Sequence, residues 1–327
     1  MITTGGVAHV AEETGFRPEV VEKVLRLSGI LARLDRHEVA RDVWLLKGGT
    51  ALNLLYLDVP RLSVDIDVNY VGHEDVVGMR RARPEFERAL VACCEREGCS
   101  VKRAPTEHAG GKFRLRYPSV LGGSQNLEVD VSYVARVPLF GSVHARVRFP
   151  PASDLRVPTL AIEELAAGKF TALVQRSAAR DVFDAAGLLD LLPDLLERPS
   201  FRLAFVVSVA ASRLDVRALR TPAALLPDPE FGRDLEPLLR RGAEGAGPKR
   251  EELAARIART VIPALVSLLS WSPREQRFLD RLLDEGTIDA PALADDPAIQ
   301  ERIGKQPMLL WKAWNVRKHR GIEPPVE

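Results

Sequence analysis

Two groups of residues in this 327-residue chain have types and spacing suited to chemistry, and the first is Lys47-Gly48-Gly49-Thr50 followed by Ser63-Val64-Asp65-Ile66-Asp67. Side chains alternate along a strand, so Asp65 and Asp67 project to one side while Val64, Ile66 and Val68 project to the other, into a core. Two carboxylates on one face suit Mg²⁺, a hard cation that binds one or two protein carboxylates together with substrate phosphates. The glycine pair lets backbone N–H groups approach a triphosphate, helped by the N-terminus of the helix that follows. Each half has a plain alternative: an ordinary turn for Gly-Gly-Thr, and a solvated strand end for Asp-X-Asp.

The elements that must position these residues are legible around them. An apolar run, Trp44-Leu45-Leu46, precedes the glycines, and an amphipathic stretch, Ala51 to Tyr56, separates them from the aspartates. Upstream, Val20, Val21, Val24, Leu25, Leu27, Ile30 and Leu31 recur at helical spacing and predict an amphipathic helix over 18–34. Downstream, a charged, solvent-facing helix is expected over 79–97, with Pro84 obscuring its start. Period-two alternation predicts strands at 113–117, 127–133 and 143–147. The chain is almost wholly helical in pattern from Thr159, and Pro150-Pro151-Ala152-Ser153-Asp154 marks a boundary. Pro193, Pro199, Pro222 and a glycine-rich stretch over 241–248 punctuate the helices. The expected fold class is therefore α+β, a small mixed sheet flanked by helices over 1–157 and an all-helical domain over 158–327.

This strand, glycine turn, helix and Asp-X-Asp strand resembles the signature of the polymerase-β-like nucleotidyltransferase fold. More narrowly it resembles the AbiEii/AbiGii-type nucleotidyltransferase toxins, a family that includes the mycobacterial MenT toxins. A second block supports the resemblance: Ile162 to Leu173, carrying Lys169, then Arg180-Asp181-Val182-Phe183-Asp184. The resemblance implies Mg²⁺-dependent transfer of an NMP from an NTP to an acceptor, most naturally a tRNA 3′ end, with growth inhibition as the outcome and a cognate antitoxin as partner. It implies two metal ions held by Asp65, Asp67 and Asp130, with Asp130 drawing the proton from the attacking hydroxyl. Glu128 points to the same face as Asp130, whose plain alternative is a solvated residue on an open sheet. Lys169 would contact the triphosphate and offset charge on the pyrophosphate, and Asp181 matches the family's last acid, with Asp184 on the same helical face. Gly48, Gly49, Thr50, Arg61, Ser63 and Arg180 complete the expected nucleotide contacts. Arg180 and Asp184 also have the spacing of a surface ion pair.

Thr50 and Ser63 would flank the triphosphate, so phosphorylation of either should inhibit, although a helix N-cap and a turn hydroxyl are the simpler roles. With 46 basic and 45 acidic residues the net charge is +1, so an RNA partner must use a local patch. Lys312, Arg317, Lys318 and Arg320, interleaved with Trp311 and Trp314, form one such patch. An amphipathic helix with core tryptophans and solvated charges fits equally well. Cys93, Cys94 and Cys99 have no histidine at ligand spacing and read as reduced, partly buried packing residues. No apolar stretch approaches membrane-span length and no signal region is evident, which favours a cytoplasmic protein with no membrane partner. Two other readings are a nucleotidyltransferase acting on a protein or small molecule such as an antibiotic, and a non-catalytic nucleotide-binding scaffold.

Overall fold

The computed structural model describes residues 2–104, 110–220, 231–241 and 249–322. Pro222 and nearly all of the glycine-rich stretch lie outside these residues. By contact the chain forms two units: Met1–Arg136 with Ser142–Ala161 and Asp228–Leu253, and Val137–Gly141 with Ile162–Pro227 and Ala254–Glu327. This division is not contiguous, unlike the expected split into 1–157 and 158–327. Residues 236–241 return to the first unit because Leu62 N–H donates to Leu238 O at 2.9 Å, Arg61 bridges Leu239, and Arg241 N–H donates to Gly15 O at 2.9 Å.

The first unit holds a seven-stranded mixed sheet: β1 (Trp44–Leu46), β2 (Asp65–Tyr70), β3 (Ser100–Ala104), β4 (Gly110–Pro118), β5 (Ser124–Ser132), β6 (Ser142–Arg146) and β7 (Arg156–Leu160). Their order is β3-β4-β5-β2-β1-β7-β6. β2 runs parallel to β5, β1 runs parallel to β7, and every other neighbour is antiparallel. The helices are α1 (Thr4–Thr14), α2 (Pro18–Arg36), α3 (Gly48–Ala51, which continues as a wider turn to Tyr56) and α4 (Val76–Arg96). One sheet face is apolar: Ile66, Val68, Phe113, Leu115, Val129 and Val131 are at most 1% exposed. On α4, Phe86 meets Tyr70 edge-on with ring centroids 5.3 Å apart, while Leu90, Cys93 and Cys94 are fully buried. Burial also pushes the Cys93 and Cys94 thiols up, so the free thiols behave as apolar packing groups. α4 begins three residues before the expected position because the Asp75 carboxylate accepts Gly78 N–H at 2.7 Å and caps it, which leaves Pro84 inside the helix.

The second unit is helical: α5 (Ile162–Arg176), α6 (Ala179–Leu191), α7 (Pro199–Ala210), α8 (Arg250–Leu268, whose first residues belong to the other unit), α9 (Pro273–Asp280), α10 (Pro297–Gly304) and α11 (Pro307–Arg320). Phe170, Phe201 and Phe205 build its core, with Phe170 and Phe201 centroids 5.7 Å apart. Among the described residues no single helix is long and apolar enough to cross a membrane. Residues 137–141 are strapped to this unit. Leu139 and Phe140 N–H donate to the Glu164 carboxylate at 2.8 and 3.0 Å, and Gln306 donates to Val137 O at 2.6 Å.

Burial pushes the Glu164 carboxyl up to about 7, against the two N–H donors that favour its charge. The folded protein therefore holds a proton that the unfolded chain, with an ordinary value of 4.5, has released. Stability should fall as pH rises from 4.5 through 7 by on the order of 2 kcal/mol, less than the full shift implies because the side chain is partly solvated. Urea midpoints at acidic and mildly alkaline pH test this. Parallel pH profiles for the wild type and Glu164→Gln would refute it.

Candidate active site

β2 places its acids by simple alternation. Ile66 and Val68 are fully buried beneath the sheet, and Asp65 and Asp67 emerge half-buried on the other face. The parallel register with β5 sets Asp65 beside Glu128 and Asp67 beside Asp130, on strands about 4.8 Å apart, with all four carboxylates on one face. β4 then separates the roles of the two β5 acids. Lys112 contacts Glu128 at 2.6 Å and Arg114 contacts it at 3.5 Å, so Glu128 is committed to cations while the exposed Asp130 faces Asp67.

The glycine turn closes over Asp67. Gly48 sits at φ +70°, a left-handed conformation that side-chain-bearing residues rarely adopt, and a Cβ there would lie 2.6 Å from Asp67 Oδ2. Lys47 N–H donates to Asp67 O at 2.9 Å. Asn53 donates to Gly49 O at 2.9 Å, and the Thr50 hydroxyl donates to Asp65 O, which ties the turn to the start of β2. Thr50 therefore lies inside α3 instead of capping it, since the N-cap position belongs to Lys47. Thr50 is fully buried and Ser63 is 6% exposed, so a kinase could reach either hydroxyl only if this turn opened. Arg61 is 2% exposed and donates to Leu62 O at 3.0 Å, which places the guanidinium in the interior and not on an accessible phosphate site.

Lys47 is a site residue that the spacing argument passed over. The β1–β2 register, Leu46 beside Val68, continues to set Lys47 against Asp67. Burial lowers the affinity of its amine for a proton, and the charges of Asp67 and Asp130 pull in the opposite direction. The available signal was its position, one residue past a strand whose antiparallel partner bears the acids.

The second group assembles within the helical unit. Lys169 Nζ on α5 lies 2.8 Å from Asp181 Oδ1 and 2.9 Å from Asp184 Oδ2, both on α6, and neither acid is more than 1% exposed. Arg176 contacts the other Asp181 oxygen at 2.6 Å. Burial would raise the Asp181 carboxyl, but the hydrogen bonds and charges of Arg176 and Lys169 prevail and hold it below the usual carboxylate range. Asp184 is thus an interior residue, and Arg180 is half-buried.

The C-terminal helix inverts its expected pattern. Trp311 and Trp314 are nearly half exposed, whereas the cations are engaged. Lys312 donates to Ser212 O at 2.9 Å, Arg317 donates to Gly286 O at 2.8 Å, Arg320 contacts Asp284 at 2.9 Å, and Lys318 lies 4.8 Å from the Trp314 ring centroid. Lys312, Arg317 and Arg320 tie the helix to its neighbours, while Lys318 lies over Trp314 of the same helix and stays exposed.

Among the described residues no three His, Cys, Asp or Glu side chains are gathered closely enough to hold a metal ion by themselves. The donor set nevertheless fits Mg²⁺. Asp67 and Asp130 supply hard oxygens from adjoining strands, with Asp67 packed against Gly48, and substrate phosphate oxygens commonly complete Mg²⁺ coordination.

No curated protein matches the chain. Among solved structures it is similar to MenT4, a nucleotidyltransferase toxin from Mycobacterium tuberculosis H37Rv, at 18% identity and a TM-score of 0.55, over 95% of this chain and 99% of that one. That likeness is one of fold. The family model described as nucleotidyl transferase AbiEii toxin, type IV TA system, matches residues 29–281, well over half of the chain. The chain accordingly belongs to the AbiEii nucleotidyltransferase toxins of type IV toxin–antitoxin systems.

Proposed function

We propose that the chain transfers a nucleoside monophosphate from an NTP to the 3′ end of a tRNA in the cytoplasm, blocking translation until its cognate antitoxin relieves the arrest. The observation that carries this reading is the in-register pair Asp67 and Asp130 beneath the Gly48 turn. The acceptor hydroxyl oxygen bonds to the α-phosphorus, the bond from that phosphorus to the bridging oxygen of the β-phosphate breaks, and pyrophosphate leaves with the bond's electron pair. Asp130, exposed and opposite Asp67, takes the hydroxyl proton. Asp65 and Asp67 hold the triphosphate end of the site, beside the Gly48-Gly49 turn, whose backbone N–H groups suit phosphate oxygens. Lys47 lies beside both acids, whose charges favour its protonated form against the effect of burial. Asp65, Asp67 and Asp130 would hold Mg²⁺, as two ions, which would supply charge to neutralise the phosphates and polarise the entering and leaving oxygens.

The test is incubation of purified protein with total tRNA, Mg²⁺ and each labelled NTP in turn, followed by mapping of the label. Label on the tRNA 3′ end from one NTP is the expected result. Label on protein or on a small molecule, or NTP binding without any transfer, would replace the reading with one of the other two.

A further inference from the structure

The sheet carries a row of cations that the transfer step does not use. In the registers of β3 on β4 and of β4 on β5, Lys102 stands opposite Arg114, Lys112 opposite Asp130 and Arg114 opposite Glu128. Arg116 continues the row, opposite Ser100 on one side and Asn126 on the other. All of these residues lie on the face away from buried Phe113, Leu115 and Tyr117, and Lys102, Arg114 and Arg116 are exposed. Alternate residues on a strand are about 6.8 Å apart, so Lys112, Arg114 and Arg116 form a line about 14 Å long that starts beside Asp130.

Among the described residues, the acids opposite the row are Glu128 and Asp130. Glu128 serves both Lys112 and Arg114, and Asp130 is given to chemistry. Lys102 directly opposite Arg114 is a like-charge cross-strand pair, an arrangement that costs stability unless an anion lies over it. The neighbours on this face, Ser100 and Asn126, are small and polar, so the surface offers charge and hydrogen bonds without an apolar patch of the kind found at the centre of protein interfaces. Regular cations with no apolar patch complement a phosphodiester backbone, in which negative charge also repeats at fixed spacing.

We propose that this face of β3 and β4, through the exposed cations Lys102, Arg114 and Arg116, binds the phosphate backbone of the acceptor strand and leads its reactive hydroxyl to Asp130. The proposal rests on the reading of the acceptor as RNA.

The experiment measures anisotropy of a short fluorescein-labelled single-stranded RNA with the full-length protein between about 50 and 200 mM salt. The wild type is compared with a Lys102→Gln, Arg114→Gln, Arg116→Gln triple variant and with Arg41→Gln, an exposed cation of the same unit that lies just before β1 and outside the row. Lys112 is kept so that Glu128 retains a partner. Each lost phosphate contact lowers the salt slope by about 0.7, so the triple variant should lose about 2 from the slope, and wild-type affinity should fall roughly 20-fold further than the variant's across that range. Arg41→Gln should keep the wild-type slope. In transfer, KM for RNA should rise with kcat little changed, which a general loss of structure would not produce.

If the wild type binds RNA and the triple variant keeps its slope, the proposal is overturned while the RNA acceptor stands. A wild type that binds no RNA even at low salt overturns both. Capture of a polyglutamate peptide in preference to RNA would assign the face to a protein partner and overturns the proposal as well. Should the triple variant fail to fold, Arg116→Glu alone carries the test and should weaken RNA binding with an unchanged melting temperature.

Discussion

Replacing Lys169 by Met should destabilise the helical unit by about 3–5 kcal/mol, because it removes the ammonium shared by two interior carboxylates. Folding has already stripped Asp181 and Asp184 of water, and both are at most 1% exposed. Met fills much of the lysine's volume, so the loss is one of charge compensation and not of packing. Arg176 still contacts Asp181 in the variant, which concentrates the penalty on Asp184. Combining Lys169→Met with Asp184→Leu should therefore recover a large part of the loss, since a buried pair exchanged whole for apolar groups is often close to neutral. Trp271, Trp311 and Trp314 all belong to the helical unit and Trp44 alone to the other, so fluorescence-detected urea unfolding reads mainly the affected part. A loss below about 1 kcal/mol in the single variant would mean that solvent, not Lys169, balances these acids.

The same cluster illustrates what sequence alone can and cannot deliver. Lys169, Asp181 and Asp184 were identifiable as a group through family resemblance, but their mutual burial was not, because i to i+3 spacing on α6 says only that the two acids share a face. Where signals are local, the sequence reading was close: α2, β2, β4 and β6 follow from apolar periodicity, and the Gly48 turn from its glycine pair. The α+β class followed from these elements together. β7 was missed because Pro158 and the preceding Pro150-Pro151 argue against a strand, yet Pro158 is tolerated, with Thr159 Oγ1 donating to Leu46 O at 2.8 Å to fasten β7 to β1. The return of residues 236–241 to the first unit depends on main-chain pairing some 180 residues distant in sequence, which leaves no periodic trace. α11 misled for a different reason. Trp311 and Trp314 stand three residues apart and so share a face, but periodicity does not say which face is buried.

Transfer activity should fall by at least about 10³-fold in Asp67→Asn and by roughly 10²-fold in Gly48→Ala, and the two effects should not multiply. Asn keeps the shape of the aspartate and removes its charge, so the loss measures what that charge contributes to the transfer step, about 4 kcal/mol of barrier for a thousandfold change. Ala at position 48 acts by geometry. It must adopt φ +70°, at a cost of about 1–2 kcal/mol, and its Cβ would stand 2.6 Å from Asp67 Oδ2, so either the turn or the carboxylate shifts. A displaced Asp67 loses its alignment with Asp130, and misplacement of a reacting group by about 1 Å can cost two orders of magnitude. Since Gly48 exerts its effect through Asp67, the double variant should be no slower than Asp67→Asn alone, which is the coupling expected of residues in direct contact. Multiplicative losses would show that Gly48 serves the triphosphate independently of Asp67. Wild-type rates in Gly48→Ala would remove the turn from the site altogether, and with it the steric reason for a glycine at that position.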